Sequence, residues 1–424
     1  MCIVFGAMAD APAVSQVTVR QRWPWSRLVD IDFLVTCDAT QKVDIAVTAH
    51  DGSTELTLPL ASLSGDLYGV SHGVRRIIWD PTVTAYTNGQ VLTQFNVTLT
   101  PLPALPPTYM IVDLLSGGTT YHFCGMNLWS DVTNDVYKTT KLVLRRIPAG
   151  TFMMGSPTGE LGRDGVREAY HPVTLTNDYW IGVYEVTQKQ WFTLRNTNTS
   201  YFRGDDWEKR PIEGIAYRNI RSYLASAENQ IDPSVDWPTS GATVSAASFM
   251  QSLRDKAGGG HLLDLPTDAE WEYACRAGTT GALNNGTTNI TMTSSCPVLD
   301  TLGRYQFNGG WGNNGTSIPS ANSGASNATA IVGSYLPNAW GLYDMHGNVW
   351  EWCLDWYTGA LGTAAVTNPV GPVSGTTRIR RGGSWYNAAA NCRSADRRDA
   401  AQTDSAVVNQ SMIGFRVACP ISGE

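Results

Sequence analysis

The chain has 424 residues and a formal net charge of −7, with no run of Lys or Arg, which disfavours nucleic acid and anionic membranes as partners. No apolar stretch reaches the ~18–20 residues that a membrane-spanning helix needs. Only 16% of the residues are charged, whereas the chain has 41 Gly and 15 Trp, so a loop-rich core held by aromatic side chains is favoured over a helical bundle.

Residues 1–13, MCIVFGAMADAPA, are apolar and then small, like the end of a secretory signal. The stretch lacks a basic start and is short for a signal. Two interpretations therefore stay open, a signal remnant and a plain N-terminal tail. The first would place the protein outside the cytoplasm or at the cell surface.

Residues 14–107 are predicted to form an all-β domain with a Pro-rich linker at its end. Six segments are apolar or alternating and rich in β-branched residues, with polar or Gly/Pro turns between them: VSQVTV, LVDIDFLV, KVDIAVTA, TELTLPL, VRRIIWD and FNVTLT. Short strands at this spacing predict an immunoglobulin-like sandwich. The prolines of residues 101–107 predict a stiff, extended linker.

Residues 108–140 are predicted to be a connecting segment with a strand pair, and residues 141–424 a second domain. Strands are expected at LVLRRIPAGTFMMGS, HPVTLTNDYWIG, TRIRRGGSW and IGFRVACP. One helix should begin after Thr187, a second should end at Gly258–Gly260, and a third should carry a capping box of Thr267 and Glu270. Residues 280–335 are rich in Asn, Gly, Ser and Thr and are predicted to be a long irregular surface segment.

The stretch PNAWGLYDMHGNVWEWCLDWY, residues 337–357, is predicted to be the packing centre of the second domain. Asp344 and Glu351 lie among its aromatic residues, and a buried carboxylate needs a partner. Two interpretations stay open from the residues alone. Either a hard cation is held by these carboxylates and by carbonyls of the turn at Gly347, or the carboxylates cap main-chain amides.

The eight cysteines are scattered, with no CxxC and no zinc-ligand spacing, so most are predicted to be buried thiols. The six histidines form no HExxH or similar cluster, which argues against a His-ligated zinc or iron centre. Three acidic residues of the third predicted helix are interpreted as cap and surface charges rather than as an acid/base pair: Asp268, Glu270 and Glu272.

Six segments occur in one order: IPAGTFMMGS, DYWIGVYEVTQKQW, LPTDAEWEYACRAG, NAWGLYDMHGNVWEW, RRGGSWYN and IGFRVA. In these segments, residues 141–420 resemble the sulfatase-modifying-factor domain, the family of the formylglycine-generating enzyme. The resemblance implies an α+β fold of the C-type-lectin-like kind with little regular secondary structure. It also implies a structural calcium site, which maps onto Asp344, Gly347, Val349 and Glu351. Two carboxylates and two main-chain carbonyls are the oxygen ligands that calcium prefers.

The catalytic centre that the resemblance implies is altered in this sequence. The family's enzymes use two cysteines five residues apart, shortly after GGS, to bind copper(I) and attack a substrate cysteine. Counted from the GGS at 382–384, these positions are Asn387 and Cys392. A carboxamide cannot replace a thiolate as a soft ligand or redox partner, so copper is disfavoured, and Cys392 would be catalytic only if the protein is an enzyme. Ser384 and Trp350, which line the family's site, are retained. The related sulfoxide synthases bind iron through three histidines, and no His cluster here supports that.

The segment 385–410 lies between RRGGSW and IGFRV. This layout resembles the variable proteins of diversity-generating retroelements, which use the same fold and diversify the last stretch before a terminal GFR. That resemblance implies an exposed ligand-binding patch, of a composition that suits adaptable recognition, formed by Tyr386, Asn387, Ala389, Asn391, Arg393, Asp396, Arg398, Asp399, Gln402 and Asp404. An ordinary surface loop is the alternative. The arginines at 393, 397 and 398 are predicted to form partly exposed ion pairs with Asp396 and Asp399.

Three functions follow as hypotheses. The first is a non-catalytic protein that binds a protein or another macromolecule through the surface near the C-terminus. The second is an oxidoreductase of the sulfatase-modifying class, with altered residues, that acts on a protein cysteine. The third is a structural module of the cell surface, in which the resemblance is architectural only.

Overall fold

The computed structural model describes residues 11–59, 62–86, 92–123, 133–204, 206–221, 244–288, 290–291, 295–308, 328–372, 374–401 and 411–421. The chain divides into two compact units: unit 1 comprises Met1–Thr108 and Tyr121–Asp131, and unit 2 comprises Tyr109–Thr120 and Val132–Glu424. Most of the predicted N-terminal tail lies outside the described residues. In the part of the chain that the structure describes, no helix has the length and apolar character to cross a membrane.

Unit 1 contains two antiparallel sheets, ordered β1-β2-β6-β5 and β4-β3-β7. Buried side chains from both sheets, among them Ile31, Ile45 and Ile77, form one apolar core. All six predicted strands are confirmed, and the immunoglobulin-like type stays a prediction. The strands are β1 (Ala13–Gln21), β2 (Val29–Thr36), β3 (Val43–Asp51), β4 (Thr54–Leu56), β5 (Leu63–Gly65), β6 (Gly73–Trp79) and β7 (Phe95–Pro103).

The Pro-rich segment is not a linker over its whole length. Strand β7 continues through Pro101 to Pro103 and pairs with β3 along its full extent, so the linker prediction is wrong for these three residues. Proline lacks a main-chain N–H, and β7 is an edge strand, where a missing donor costs little. The composition therefore predicted correctly that residues 101–103 are extended, but it did not predict that they pair with a neighbouring strand.

In their described residues, unit 2 and the segment leading into it contain short strands and four short α-helices. The sheets are ordered β19-β13-β10-β8-β9, β11-β12-β15 and β17-β16-β14-β18. The strands are β8 (Tyr109–Asp113), β9 (Thr119–His122), β10 (Lys141–Ile147), β11 (Gly150–Met154), β12 (His171–Leu175), β13 (Tyr179–Gly182), β14 (Trp350–Trp356), β15 (Val366–Thr367), β16 (Thr377–Arg381), β17 (Arg397–Ala401), β18 (Ile413–Gly414) and β19 (Ala418–Pro420). The helices are α1 (Gln188–Arg195), α2 (Tyr217–Arg221), α3 (Phe249–Lys256) and α4 (Asp268–Arg276).

The predicted helix starts are confirmed by their caps. Thr187 accepts a hydrogen bond from the N–H of Gln190 at the start of α1, and Thr267 accepts one from the N–H of Glu270 at the start of α4. In both cases the side chain at the third position accepts the N–H of the cap residue, which completes a capping box. Helix α3 ends at Lys256, just before the glycines at 258–260.

The strand pair expected within residues 108–140 is confirmed as β8 and β9, and β8 is an internal strand of the five-stranded sheet. Its residues Tyr109 to Val112 are buried, so this part of the predicted connecting segment belongs to the core of unit 2. Among the described residues of 280–335 there is no strand and no α-helix, in agreement with the irregular structure predicted there. The surface position predicted for this segment is wrong for Leu283, Leu299 and Tyr305, among others, because they pack in a buried apolar cluster.

The central strand β14 is buried over all seven residues, as expected of the packing centre. Helix α4 is buried as well, which makes the surface-charge interpretation of its acidic residues wrong. Asp268 pairs with Arg381 and Arg397, and Glu272 pairs with Arg276 and Arg381. These carboxylates are inside because each has a guanidinium partner.

Candidate functional site

The turn before β14 places the predicted calcium ligands. Asp344, Gly347 and Asn348 all have positive φ values, of 56°, 88° and 60°. A Cβ on Gly347 would collide with the main-chain oxygen of Arg304, so glycine is needed there for space as well as for backbone conformation. The result is a tight, buried turn that directs Asp344 and Glu351 into the interior of unit 2.

The two carboxylates of this turn differ in how completely they are paired. Arg416 donates to both oxygens of Glu351 at 2.6 Å, and the indole N–H of Trp271 donates to Oε2 at 2.7 Å. Asp344 accepts the N–H of Gly333 through Oδ2 at 2.6 Å, whereas its buried Oδ1 has no hydrogen-bond partner. Burial raises the pKa of Asp344 to about 6.

A third buried carboxylate, Glu185, lies beside this turn. It accepts the side-chain amide of Asn348 at 2.6 Å and the N–H of Val349 at 3.1 Å. Burial, with the nearby charges of Asp344 and Glu351, raises the pKa of Glu185 well above its usual value. The three carboxylates thus outnumber Arg416, the guanidinium that pairs with Glu351.

This surplus of buried negative charge and the unpartnered oxygen of Asp344 fit a hard cation. In the described residues no group of three His, Cys, Asp or Glu side chains could hold a metal by itself, so such an ion would depend on main-chain oxygens. The predicted set of Asp344, Gly347, Val349 and Glu351 supplies two of these, and Glu351 would be shared with Arg416. Calcium binding stays a prediction, with Asp344 as its central ligand.

The thiol of Cys392 is fully buried in an apolar cluster that includes Cys296, Leu302 and Tyr305. Its sulfur lies so close to Gly383 that a Cβ there would approach it to 2.6 Å. Burial raises the pKa of Cys392 far above its usual value. The group is therefore a packed thiol rather than a thiolate nucleophile.

Asn387 is built into the turn that precedes Cys392. The hydroxyl of Ser384 donates to its Oδ1 at 2.6 Å, its N–H donates to the carbonyl of Ser384, and its carbonyl accepts the N–H of Gln306. The carboxamide is thus a local structural element in the position where the resemblance implies a thiol.

His346 is a buried neighbour of this centre that the sequence did not single out. Its Nδ1 donates to the carbonyl of Cys392 at 2.7 Å, and its Nε2 accepts the N–H of Asn284 at 2.9 Å. Burial lowers its pKa to about 4, so the imidazole is neutral and fixes the Cys392 main chain. The signal in the sequence that could have identified His346 is its position in DMHGN, within the stretch predicted to be the packing centre.

The predicted ligand-binding patch is only partly accessible. Among its described members, Asp399 is exposed, and Tyr386, Asn387, Asn391 and Arg398 are half-buried. The expectation of exposure is wrong for three other members, which are buried: Ala389, Arg393 and Asp396. Gln402 and Asp404 lie outside the described residues.

Arg393 is buried because it holds two carboxylates from a distant loop. It donates to Glu160 at 2.7 Å and to both oxygens of Glu168 at 2.6 and 2.7 Å. It also donates to the carbonyl of Gly162 at 2.7 Å. The prediction of partly exposed ion pairs is therefore wrong for Arg393, and likewise for buried Arg397, and holds for Arg398, whose side chain is 31% exposed.

The half-buried Tyr386 and Tyr201 lie on either side of two buried aromatic residues, Trp385 and Phe202. Tyr386 contacts Trp385 edge-on at 5.6 Å, Trp385 contacts Phe202 at 5.1 Å, and Phe202 contacts Tyr201 at 5.1 Å, all measured between ring centroids. Sequence reasoning missed Tyr201 and Phe202, because they are separated from Trp385 by more than 180 residues of chain. The partly exposed rings stand on a rigid support, as an adaptable binding surface requires.

Comparisons with known proteins agree with this architecture. Residues 132–421 match the family model of the sulfatase-modifying factor enzyme 1-like domain. The chain is 29% identical over 309 residues to the formylglycine-generating enzyme of Mus musculus, covering 66% of this chain and 75% of that one. It is 33% identical over 230 residues to the chaperone protein LppX of Paenibacillus barcinonensis, covering 51% and 71%. Among solved structures, Treponema denticola variable protein 1 is 25% identical with a TM-score of 0.47, covering 66% of this chain and 96% of that one.

Proposed function

Since the chain belongs to the sulfatase-modifying factor enzyme 1-like domain family, with its C-type-lectin-like α+β fold, we propose that it is a non-catalytic member that binds a macromolecular ligand. The observation that carries the proposal is the state of the two positions that hold the family's catalytic cysteines, Asn387 and the buried Cys392. One of the two thiols is replaced by a carboxamide, and the other is buried, packed against Gly383 and held protonated. Fold alone does not confer the family's chemistry, which depends on this pair.

The binding surface in this proposal is narrower than the sequence implied. It is centred on Tyr386, Asn387 and Asn391, and Tyr201 extends it. The framework around segment 385–410 is buried, with Trp385 at its start and Ile413 and Phe415 after it. Substitutions among the accessible residues would therefore leave the core unchanged, which is the property a recognition surface needs.

An altered oxidoreductase is the second candidate, and the position of a second thiol favours keeping it. Cys296 lies in the same apolar cluster as Cys392, so these two thiols are the pair that could take up copper(I) in place of the missing one. If they did, the protein would oxidise a cysteine-containing peptide with oxygen as the electron acceptor.

Copper(I) binding and turnover together decide between the two candidates. We expect the purified protein to bind copper(I) no more tightly than its Cys392→Ser variant in a competition with a chromophoric chelator, and to consume no oxygen with a cysteine peptide. Asn387→Cys is the matched positive control, because it supplies a second thiol and should raise copper(I) affinity. Oxygen-dependent turnover that Cys392→Ser or Cys296→Ser abolishes would overturn the proposal.

Ligand recognition is tested on peptide and glycan arrays with the same protein. The double variant Tyr386→Ala and Asn391→Ala should lose the signals that the unaltered protein gives, while keeping its melting temperature. Unchanged signals would exclude this surface as the binding site. A near-copy of the DNA for residues 380–418 beside a reverse transcriptase gene, differing mainly at adenines, would identify the surface as diversified.

We also propose that calcium binds at the turn before β14, through Asp344, Glu351 and the main-chain oxygens of Gly347 and Val349. The support is the unpartnered Oδ1 of Asp344 among three buried carboxylates. The ion would have a structural role, since this turn fixes Asn348, whose carbonyl accepts the N–H of Trp385 at the base of the binding surface.

A further inference from the structure

The turn between β1 and β2 in unit 1 exposes two tryptophans. Trp23 is 67% exposed and Trp25 is 92% exposed, and they are the only fully exposed tryptophans among the described residues. A tryptophan side chain carries a large apolar area that is normally buried. Two neighbouring rings left in water therefore mark an interaction surface rather than a packing feature.

The main chain of this turn is closed by its own hydrogen bonds. The N–H of Arg22 donates to the carbonyl of Leu28 at 2.9 Å, and the carbonyl of Arg22 accepts the N–H groups of Trp25 and Ser26 at 3.0 and 3.1 Å. The N–H of Leu28 donates to the hydroxyl of Ser26. These hydrogen bonds fix the loop that carries the two rings.

The charge around the rings is positive although the chain as a whole is acidic. Residues 11–29 contain Arg20, Arg22 and Arg27 and no acidic residue. Asp30, which pairs with Arg20 and Arg22, is buried beneath them. Arg27 is exposed beside the rings. Charges beyond about 8–10 Å are screened at physiological salt, so this local excess, and not the net charge of −7, decides what the turn attracts.

We propose that the turn formed by residues 22–28 docks onto an anionic lipid bilayer surface, with Trp23 and Trp25 in the headgroup region and Arg27 against lipid phosphates. Tryptophan rings are favoured at the membrane–water interface, because one part of the ring is apolar and the indole N–H stays hydrated. Basic side chains beside them add attraction to anionic headgroups.

A lipid surface fits this turn better than an acidic protein does. A stable protein interface buries about 800 Å² on each partner, which is more than one short turn with two rings presents. Membrane docking needs no such area, because its strength grows with the few inserted apolar groups and with the local charge. The turn is also a protrusion between two strands, a shape that enters a soft surface.

Co-sedimentation of the full chain with lipid vesicles tests the proposal. The protein should bind vesicles of phosphatidylcholine with about 30% phosphatidylserine, bind pure phosphatidylcholine at least ~10-fold more weakly, and lose binding as salt rises. The double variant Trp23→Ala and Trp25→Ala should bind at least ~10-fold more weakly, and Arg27→Glu should weaken binding to the anionic vesicles only. Leu161→Ala removes an exposed apolar side chain elsewhere and is the matched control.

All variants are checked for an unchanged melting temperature, which is expected because the altered side chains are exposed. Absence of binding to the anionic vesicles overturns the proposal and leaves an acidic protein as the partner class. Equal binding to both vesicle types, or equal binding by the double tryptophan variant and the unaltered chain, overturns it as well.

Discussion

The two units of this chain are stabilised by different kinds of core. In unit 1 the buried side chains are apolar except for Asp30, Asp44 and Ser62, as far as the structure describes that unit. In unit 2 the largest fully buried side chains include, besides tryptophans, six arginines: Arg210, Arg378, Arg381, Arg393, Arg397 and Arg416. Unit 1 is thus stabilised by regular sheets with an apolar core, whereas the core of unit 2 also contains buried guanidinium groups.

The difference follows from how much of each unit is regular structure. A sheet pairs its own main chain, so its inward side chains can be apolar. The irregular loops of unit 2 leave carbonyls and carboxylates inside, and arginine has five donors in a rigid fork to pair with them. Arg416, for example, joins Glu351 to the carbonyls of Gly182 and Tyr343. Buried ion pairs and hydrogen bonds thus fix the loops that carry the proposed binding surface. Its exposed side chains take no part in these contacts and can therefore vary.

Replacing Arg393 by Met should have the largest effect on stability. Met keeps much of the volume but leaves Glu160 and Glu168 buried without their partner. Removing one member of a buried ion pair costs about 3–5 kcal/mol of unfolding free energy. Urea unfolding followed by tryptophan circular dichroism measures the loss.

Arg76→Met in unit 1 is the control, since Arg76 is partly exposed and pairs with Asp32. Its loss should change stability far less, because buried Asp30, which Arg76 also approaches, keeps Arg20 and Arg22 as partners. Adding Glu168→Gln to the Arg393→Met variant removes one stranded charge and should restore part of the stability. If Arg393→Met unfolds at the same urea concentration as Arg76→Met, the buried network does not hold unit 2 together.

Glu213 gives a pH-dependent test of the same contrast. Its Oε1 accepts the N–H of Phe202 at 2.8 Å, its buried Oε2 has no hydrogen-bond partner, and burial raises its pKa to about 8. The folded state therefore keeps a proton that the unfolded state loses above pH 4.5, so stability should fall as pH rises from about 4.5 to about 8. Glu213→Gln should remove this loss and gain about 1–3 kcal/mol near pH 8, with little change near pH 4.5.

Thermal and urea unfolding of both proteins across this pH range measure the difference. Glu208→Gln, at a surface position where the carboxylate pairs with Lys189, is the matched control and should change the unfolding free energy by no more than about 0.5 kcal/mol. A gain from Glu213→Gln that is the same at both pH values would show that the substitution acts through packing and not through the proton.

The same contrast explains what the sequence could predict. Period-two patterns and capping residues identified six of the seven described strands of unit 1 and the starts of α1 and α4, because these signals are local. The three-residue strand β5 was missed, because its Ser and Gly are residues typical of a turn. The burial of Arg393 was missed, since its partners Glu160 and Glu168 lie more than 220 residues away in the chain and a charged residue is normally exposed. Asp396, which pairs with Arg393, is buried together with it. Tyr201 and Phe202 at the binding surface were missed for the same reason. The altered centre was identified because Asn387 and Cys392 lie in one short segment.

Calcium should produce the smallest of these effects, and one confined to unit 2. The ion would compensate Asp344 and Glu185, whose pKa values are raised by burial and by the nearby charge of Glu351, whereas unit 1 has no comparable cluster among its described residues. At a free calcium concentration ten times the dissociation constant, mass action adds about 1.4 kcal/mol to the stability, which is seen as a higher melting temperature that a chelator reverses. Asp344→Asn keeps the acceptor for Gly333 but removes the charge and the ligand oxygen, so its melting temperature should not respond to calcium. If the melting temperature of this variant responds to calcium as much as that of the unaltered protein, the ion binds at another site. If the unaltered protein does not respond, calcium does not bind at this turn, and Arg416 is the cation that stabilises it.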